Sequence, residues 1–546
     1  MELVDVATAS PDVLATAVEA ELASQHRLLP HRRDYAALLG HGEEIARLVK
    51  GRASLGTPPD LGDVVFAQKD VSGSRPLTVM GLLDAVAYRH LCNLLAPRLP
   101  ETVTRRTPSA EFKRALIEEA ERAQPGETPL SHIAVTDVTA YYEFVDHGLL
   151  ADELVAQTGD EPIVDQLLTL AAGVMGRSVG IPQIHASSDV LGDVYIDRVR
   201  RQMRRRGFKT VTYSDDFRIG APSLSEARRA LELCAFEMRH LGLVMNERKT
   251  FTYSLQSYRD DLDKFARAER ELFVGAEELQ NFWVDTYAGE EAIAQPTSLA
   301  ADPLSGNDDE ESAAFVATAG ELREIDATPV LMDAAERALA KWVEADRSTE
   351  TRSRTSVAIT QSLLGRALPI LGASGSPTVL DHAIGILASA PSLTPQLADY
   401  LIRYSQGGPD HRTKVRDLLD NVVTSSILSD WQAIWIAHVA SYQRGSGLAR
   451  RHVLWLRECI ETKPDAVAAH AAAALGNIGR GDGEDLVTAL GRIGPTWRSL
   501  ALWGLARVST ALAQEVAEDG VDRVMVGGTA PRKGKPTRVR RGHARP

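Results

Sequence analysis

Apolar residues along this chain follow two rhythms, and the change between them falls past its middle. Over residues 1–60 the pattern predicts short helices, for example over 35–48. From about 61 to 255, short β-rich apolar runs alternate with helical periods, as in an α+β domain. Segments 76–95 and 110–123 read as helices, and 132–144 (HIAVTDVTAYYEF) opens with a strand-like run. The pieces 209–213 (KTVTY) and 217–221 (FRIGA) flank Ser214-Asp215-Asp216 and predict a β-hairpin. Ser223 and Glu226 have capping-box spacing before a helix carrying Leu231, Ala235, Met238 and Leu241, with Gly242 as its stop.

Residues 256–329 read as a connector; its part 286–328 is rich in small and acidic residues and holds the acidic run Asp308 to Glu311. Beyond 330 strand signals almost vanish. Ala/Leu-rich amphipathic segments recur over 331–345, 356–372, 378–390, 394–405, 411–427, 429–443, 446–461, 465–478 and 495–508. The region 330–525 is therefore expected to be an all-α domain of HEAT-like repeats; no strict period is visible, so an irregular helical stack reads equally well. Residues 526–546 form a basic tail that cannot bury a core.

The length of 546 residues, 44% of them hydrophobic, suggests about three domains. A net charge of −13 argues against a phosphate-binding protein until the distribution is considered. Arg198, Arg200, Arg201, Arg204, Arg205, Arg206 and Lys209 crowd one stretch, and local patches matter more to a phosphate backbone than the sum. That stretch is read either as a phosphate-tracking face or as a solvated helix face. Cys92, Cys234 and Cys459 form no ligand or disulfide pattern, no apolar run reaches a membrane span, and the first residues are acidic. The expectation is a bacterial cytoplasmic protein with no membrane partner.

Transfer of a nucleotide to a growing 3′-end uses two divalent ions, and magnesium accepts a few carboxylates together with phosphates and water. A strand end and a hairpin tip can bring aspartates to one rigid point. Asp137 ends the strand-like 133–136, and Asp215 and Asp216 sit at the hairpin tip. Neighbours on extended backbone point to opposite faces, so Asp215 and Asp216 should not contribute equally. A bare Asp-Asp is weak evidence, since 260–261 and 308–309 carry the same pair.

Five segments in order raise its meaning. They are KDVSGSRP (69–76), DVTAYY (137–142), GIPQIHASSDVLGDVYID (180–197), YSDDF (213–217) and LGLVMNERKT (241–250). Over residues 61–255 this series resembles the fingers and palm of the reverse transcriptase family. The resemblance implies a right-hand polymerase fold and Mg²⁺, two ions, with Mn²⁺ as an alternative. It implies metal positions at Asp137, Val138, Asp215 and Asp216, and incoming triphosphate held by Lys69 and Arg75. It also implies nucleotide support by Gln183, a sugar-contacting Tyr142 that selects deoxynucleotides, and Lys249 as a proton donor to pyrophosphate. Asn246 stands at its family position. The partners implied are dNTPs, a DNA product, and an RNA template or noncoding RNA.

The chain also departs from the family. Ile184-His185 follow Pro182-Gln183 where most members have Gly, which puts ordinary templated copying in question. Group II intron enzymes add a maturase region and often an endonuclease with Cys/His spacing, neither of which is visible here. Retron enzymes usually end soon after a short thumb, whereas about 290 residues follow residue 255. Defence-associated abortive-infection enzymes, with C-terminal helical repeats, resemble it best. That likeness implies anti-phage activity, a homo-oligomer, and template-independent or protein-primed synthesis, for which Tyr35, Tyr400 and Tyr404 are candidate acceptors. The alternatives are a templated enzyme of retron or group II intron type, an RNA polymerase, and an inactive interaction protein.

Overall fold

The computed structural model describes residues 3–24, 28–69, 73–104, 108–124, 128–272, 325, 327–347, 354–425, 428–443 and 450–528. The acidic run 308–311 and the tail from 529 lie outside them. The chain opens with helices α1 (Val4–Thr8), α2 (Pro11–Ala23), α3 (Arg33–Leu38) and α4 (Gly42–Ser54). The helical period expected over 35–48 is thus broken in two, at Gly40, whose φ is +85°. Next come strands β1 (Asp63–Gln68) and β2 (Ser74–Val79), an antiparallel hairpin with Ala67 opposite Arg75. Residues 76–79 are therefore strand rather than helix, and only α5 (Leu82–Leu95) follows the helical reading. The β-branched Thr78 and Val79 favour a pleated half-buried surface, and Gly81 marks the break before the helix.

After α6 (Glu101–Thr104) and α7 (Ser109–Arg122) comes β3 (His132–Thr136), then α8 (His147–Thr158), α9 (Glu161–Met175) and α10 (Ala186–Arg205). The hairpin strands β4 (Lys209–Tyr213) and β5 (Asp216–Ala221), helix α11 (Leu224–His240), strand β6 (Phe251–Ser254) and helix α12 (Leu255–Leu272) complete this half. A four-stranded antiparallel sheet has the order β4-β5-β3-β6. Alternation along its strands divides two cores. Ala134, Phe217, Ile219 and Ala221 join the large core with Val194, Val199 and Met238 of α10 and α11. Ile133, with Val135 and Val211 beside it, packs against Leu116 and Ile117 of α7 and Tyr258 of α12.

The remaining elements are helices. The longer ones are Pro329–Arg347, Arg354–Ala373, Thr394–Gln406, Pro409–Thr424, Asp430–Ser441, Arg450–Thr462, Asp465–Ile478 and Pro495–Val508. Two of them meet at glycines: a Cβ on Gly476 would lie 2.0 Å from the Gly504 carbonyl oxygen. This helical array docks on the N-terminal helices and the β1–β2 hairpin. Trp431 Nε1 donates to the Leu28 carbonyl, Trp497 Nε1 to Asp63 Oδ2 (2.6 Å), and Ser429 Oγ to Gln68 Oε1 (2.9 Å). Arg32 lies between the rings of Tyr35 and Trp497 while paired with buried Asp34.

Candidate active site at the end of the four-stranded sheet

The register places Thr136 opposite Phe217 and Tyr213 opposite Asp216. Asp137, just beyond β3, therefore comes to the same end of the sheet as the two-residue turn Ser214-Asp215. Ser214 has φ +50°, whereas Asp215 does not have a positive φ, the pattern of a type II′ hairpin turn. A serine in that conformation carries strain, which a functional site tolerates.

Asp137 is 5% exposed and held from three sides. Its carbonyl oxygen accepts from the Asn246 backbone N–H at 2.8 Å, and its Oδ2 accepts from Asn246 Nδ2 at 3.0 Å. Lys249 Nζ lies 3.4 Å from the same Oδ2 and keeps a 42% exposed side chain. An isolated bridge from Val138 to Met245 and a bond from Thr139 N–H to the Val244 carbonyl lock this loop beside β3. The Val138 side chain is in the core, so only its backbone remains for the site.

Asp215 keeps partial access to solvent, yet its carboxyl is pushed up to about 8. Burial is the largest cause, followed by the negative charges of Asp137 and Asp216, with Lys249 opposing them. Charges this close and this poorly balanced suit a hard divalent cation with oxygen ligands. Among the described residues no group of three His, Cys, Asp or Glu side chains converges on one point. Asp216 faces Arg218, with Oδ1 3.3 Å from Nη1. Asp137 and Asp215 thus share the excess negative charge of this end of the sheet, and the third carboxylate already has an internal cation.

Tyr142 lies behind the turn. Its hydroxyl donates to Asp189 Oδ1 at 2.7 Å and lies 3.4 Å from Ser214 Oγ. Burial first, then Asp189, raises this phenol well above its ordinary range, so it stays neutral. The Ile181 N–H donates to the Tyr142 carbonyl, which ties residue 142 to the loop carrying Gln183. With its amide oriented to satisfy both ends, Gln183 donates to the Pro76 carbonyl (3.1 Å) and accepts from Arg75 Nε (3.2 Å). Arg75 and Gln183 are therefore together. The Lys69 N–H bonds to the Gly73 carbonyl just beyond the last strand pair, Gln68 opposite Ser74, and residues 70–72 lie outside the described residues.

Several side chains take places that the sequence left open. His185 is an internal cap: its Nδ1 accepts from Ser187 N–H, so Nε2 carries the proton and donates to Glu21, which Arg89 also holds. In the basic run, Arg200 and Arg201 pair with Asp197, Arg201 also with Glu153, and Lys209 pairs with Glu119. Lys209 starts β4, at the opposite end of that strand from Tyr213 and the turn, so this run does not line the carboxylate site. Tyr35, Tyr400 and Tyr404 are buried and offer no accessible acceptor hydroxyl in this conformation. Asn246, noted within the fifth segment, proves to be a hydrogen-bond partner of Asp137. Asp189 and Arg218 were not expected at the site; of these two, Arg218 had a signal, lying two residues from Asp216 on one strand face.

No protein-family model and no curated protein matches this chain. One solved structure similar to it is telomerase from Candida albicans in complex with a TWJ fragment of telomeric RNA. The match covers 67% of this chain, at 10% identity and a TM-score of 0.32. The chain spans 63% of that structure's chain. At this similarity the overlap defines neither the fold nor the function. No described helix is long and apolar enough to cross a membrane.

Proposed function

We propose that this chain is a reverse-transcriptase-type nucleotidyltransferase that adds deoxynucleotides to a 3′-hydroxyl, in the defence-associated abortive-infection group. The observation that carries this reading is the meeting of Asp137 and Asp215 at one sheet end, with unbalanced charge, beside Tyr142. The order of the five sequence segments supports it, since each contributes to this end of the sheet or to the hairpin joined to it through Gln183.

The hydroxyl gives its proton to solvent and its oxygen bonds to the α-phosphorus, the bond from that phosphorus to the oxygen bridging to the β-phosphate breaks, and pyrophosphate leaves. Divalent ions at Asp137 and Asp215 would lower the hydroxyl's pKa and neutralise the leaving group. Asn246 fixes the Asp137 carboxylate in its rotamer. Lys249, partly exposed, is placed to neutralise a phosphate oxygen and to pass its proton to the departing pyrophosphate. Arg75, oriented by Gln183, presents a planar cation to the triphosphate. Tyr142, neutral and anchored by Asp189, forms a fixed surface against the sugar, which favours deoxynucleotides.

The test is incorporation of each labelled dNTP and NTP by purified full-length protein with Mg²⁺, with and without template and primer. Product dependent on Asp137 and Asp215 and formed from dNTPs supports the reading. Product still attached to protein without added template points to the protein-primed form. Equal use of ribonucleotides would point to an RNA polymerase, and absence of product from every nucleotide would sink the enzyme reading.

A further inference from the structure

Asp216 has a neighbour that metal chemistry does not call for. Two residues along β5, Arg218 turns its guanidinium back on the carboxylate, and the two side chains are only 10% and 8% exposed. The same Nη1 donates to the Phe217 carbonyl at 3.1 Å, and Nε donates to the Tyr258 hydroxyl of α12 at 3.1 Å. That hydroxyl donates onward to the Lys113 carbonyl of α7 at 2.9 Å, and the guanidinium lies 5.0 Å from the Phe112 ring centre. Three elements thus enclose the guanidinium beside Asp216, and the Lys113 ammonium, pushed down to about 8 first by burial and then by Arg218, also feels the Asp216 charge. A buried guanidinium needs such an anion, and breaking the pair would leave an uncompensated charge.

We infer that Arg218 is a positioning residue that withdraws Asp216 from metal coordination. The protein alone then holds one divalent cation, on Asp137 and Asp215, and a second enters only with the phosphates of a bound nucleotide. This rests on the metal-centre reading above. With Oδ1 on Arg218, an ion reaching Asp216 without nucleotide would have only Oδ2 and would set a second positive charge against the buried guanidinium. Magnesium is satisfied by one or two carboxylates when phosphate and water complete its shell.

Mn²⁺ titration of the full-length protein without nucleotide, followed by electron paramagnetic resonance, counts the bound ions. One Mn²⁺ per chain is expected. Asp137→Asn and Asp215→Asn should weaken it by about tenfold or more, whereas Asp216→Asn should stay within about twofold of wild type. Arg218→Met, by freeing Asp216, should bind a second Mn²⁺, and Arg218→Lys should return the count to one. Should Arg218→Met fail to fold, the three Asn variants decide. Two ions on the wild type, or equal loss in Asp216→Asn, would overturn the inference and leave the metal centre standing. No Mn²⁺ on any variant would overturn both.

Discussion

Asp137 and Asp215 are held close by their strands although their charges repel, and that tension gives the first predictions. Asn at either position keeps the shape but cannot supply the negative charge that a cation needs. Incorporation should fall by on the order of 10³ or more. Thermal stability in the absence of metal should hold or rise at about pH 9, where Asp215 is ionised and repulsion is relieved. The Asp215 carboxyl sits at about 8, above its ordinary 3.8, so the folded chain keeps this proton where the unfolded chain has lost it. Its contribution to stability is complete below about pH 4 and disappears as pH rises through about 8. A cation competes with that proton, so Mg²⁺ should raise the Tm more at about pH 9 than at about pH 6. A shift independent of pH, read by scanning calorimetry, would remove Asp215 from the ligands. At this scale the two carboxylates were legible, because strand period and hairpin turn fix where Asp137 and Asp215 fall. The bond from Tyr142 to Asp189 was not, since it depends on how α10 seats against the sheet.

Among elements, helix packing by glycine offers the sharpest test. The helices Asp465–Ile478 and Pro495–Val508 approach until a Cβ at Gly476 would lie 2.5 Å from the Gly504 carbonyl carbon. Gly476→Ala should therefore destabilise the chain by about 1–3 kcal/mol, read from urea unfolding, although alanine favours helix in isolation. A neutral result would mean that these helices do not touch there. Most helices of this half announced themselves by amphipathic period: residues 465–478 and 495–508 carry the expected bounds. The short helices Gly483–Leu490, Thr510–Glu515 and Gly520–Gly528 did not, because one or two turns give too little period to see. At 76–79 the apolar run fitted either period, and pairing with β1 decided it.

Across the whole molecule, the helical array and the N-terminal elements share one continuous core, closed by tryptophans. Trp431 is fully buried and bonds to the Leu28 carbonyl, so Trp431→Ala should cost about 3–5 kcal/mol. If the array unfolded on its own, that variant would show two thermal transitions where a single cooperative one is expected. No periodicity could have revealed this docking, since Leu28 and Trp431 are 403 residues apart in sequence. Nor could composition show that Arg200, Arg201 and Lys209 of the basic run are paired with Asp197, Glu153 and Glu119.

The central claim is that the Asp137–Asp215 pair transfers nucleotides. Single-turnover incorporation of labelled dNTP should be measured with Mg²⁺ on wild type and on Asp215→Asn, both confirmed folded by circular dichroism. Product from wild type with none from the variant is the predicted result. Equal product from both, or none from a folded wild type supplied with every nucleotide and template, would contradict it.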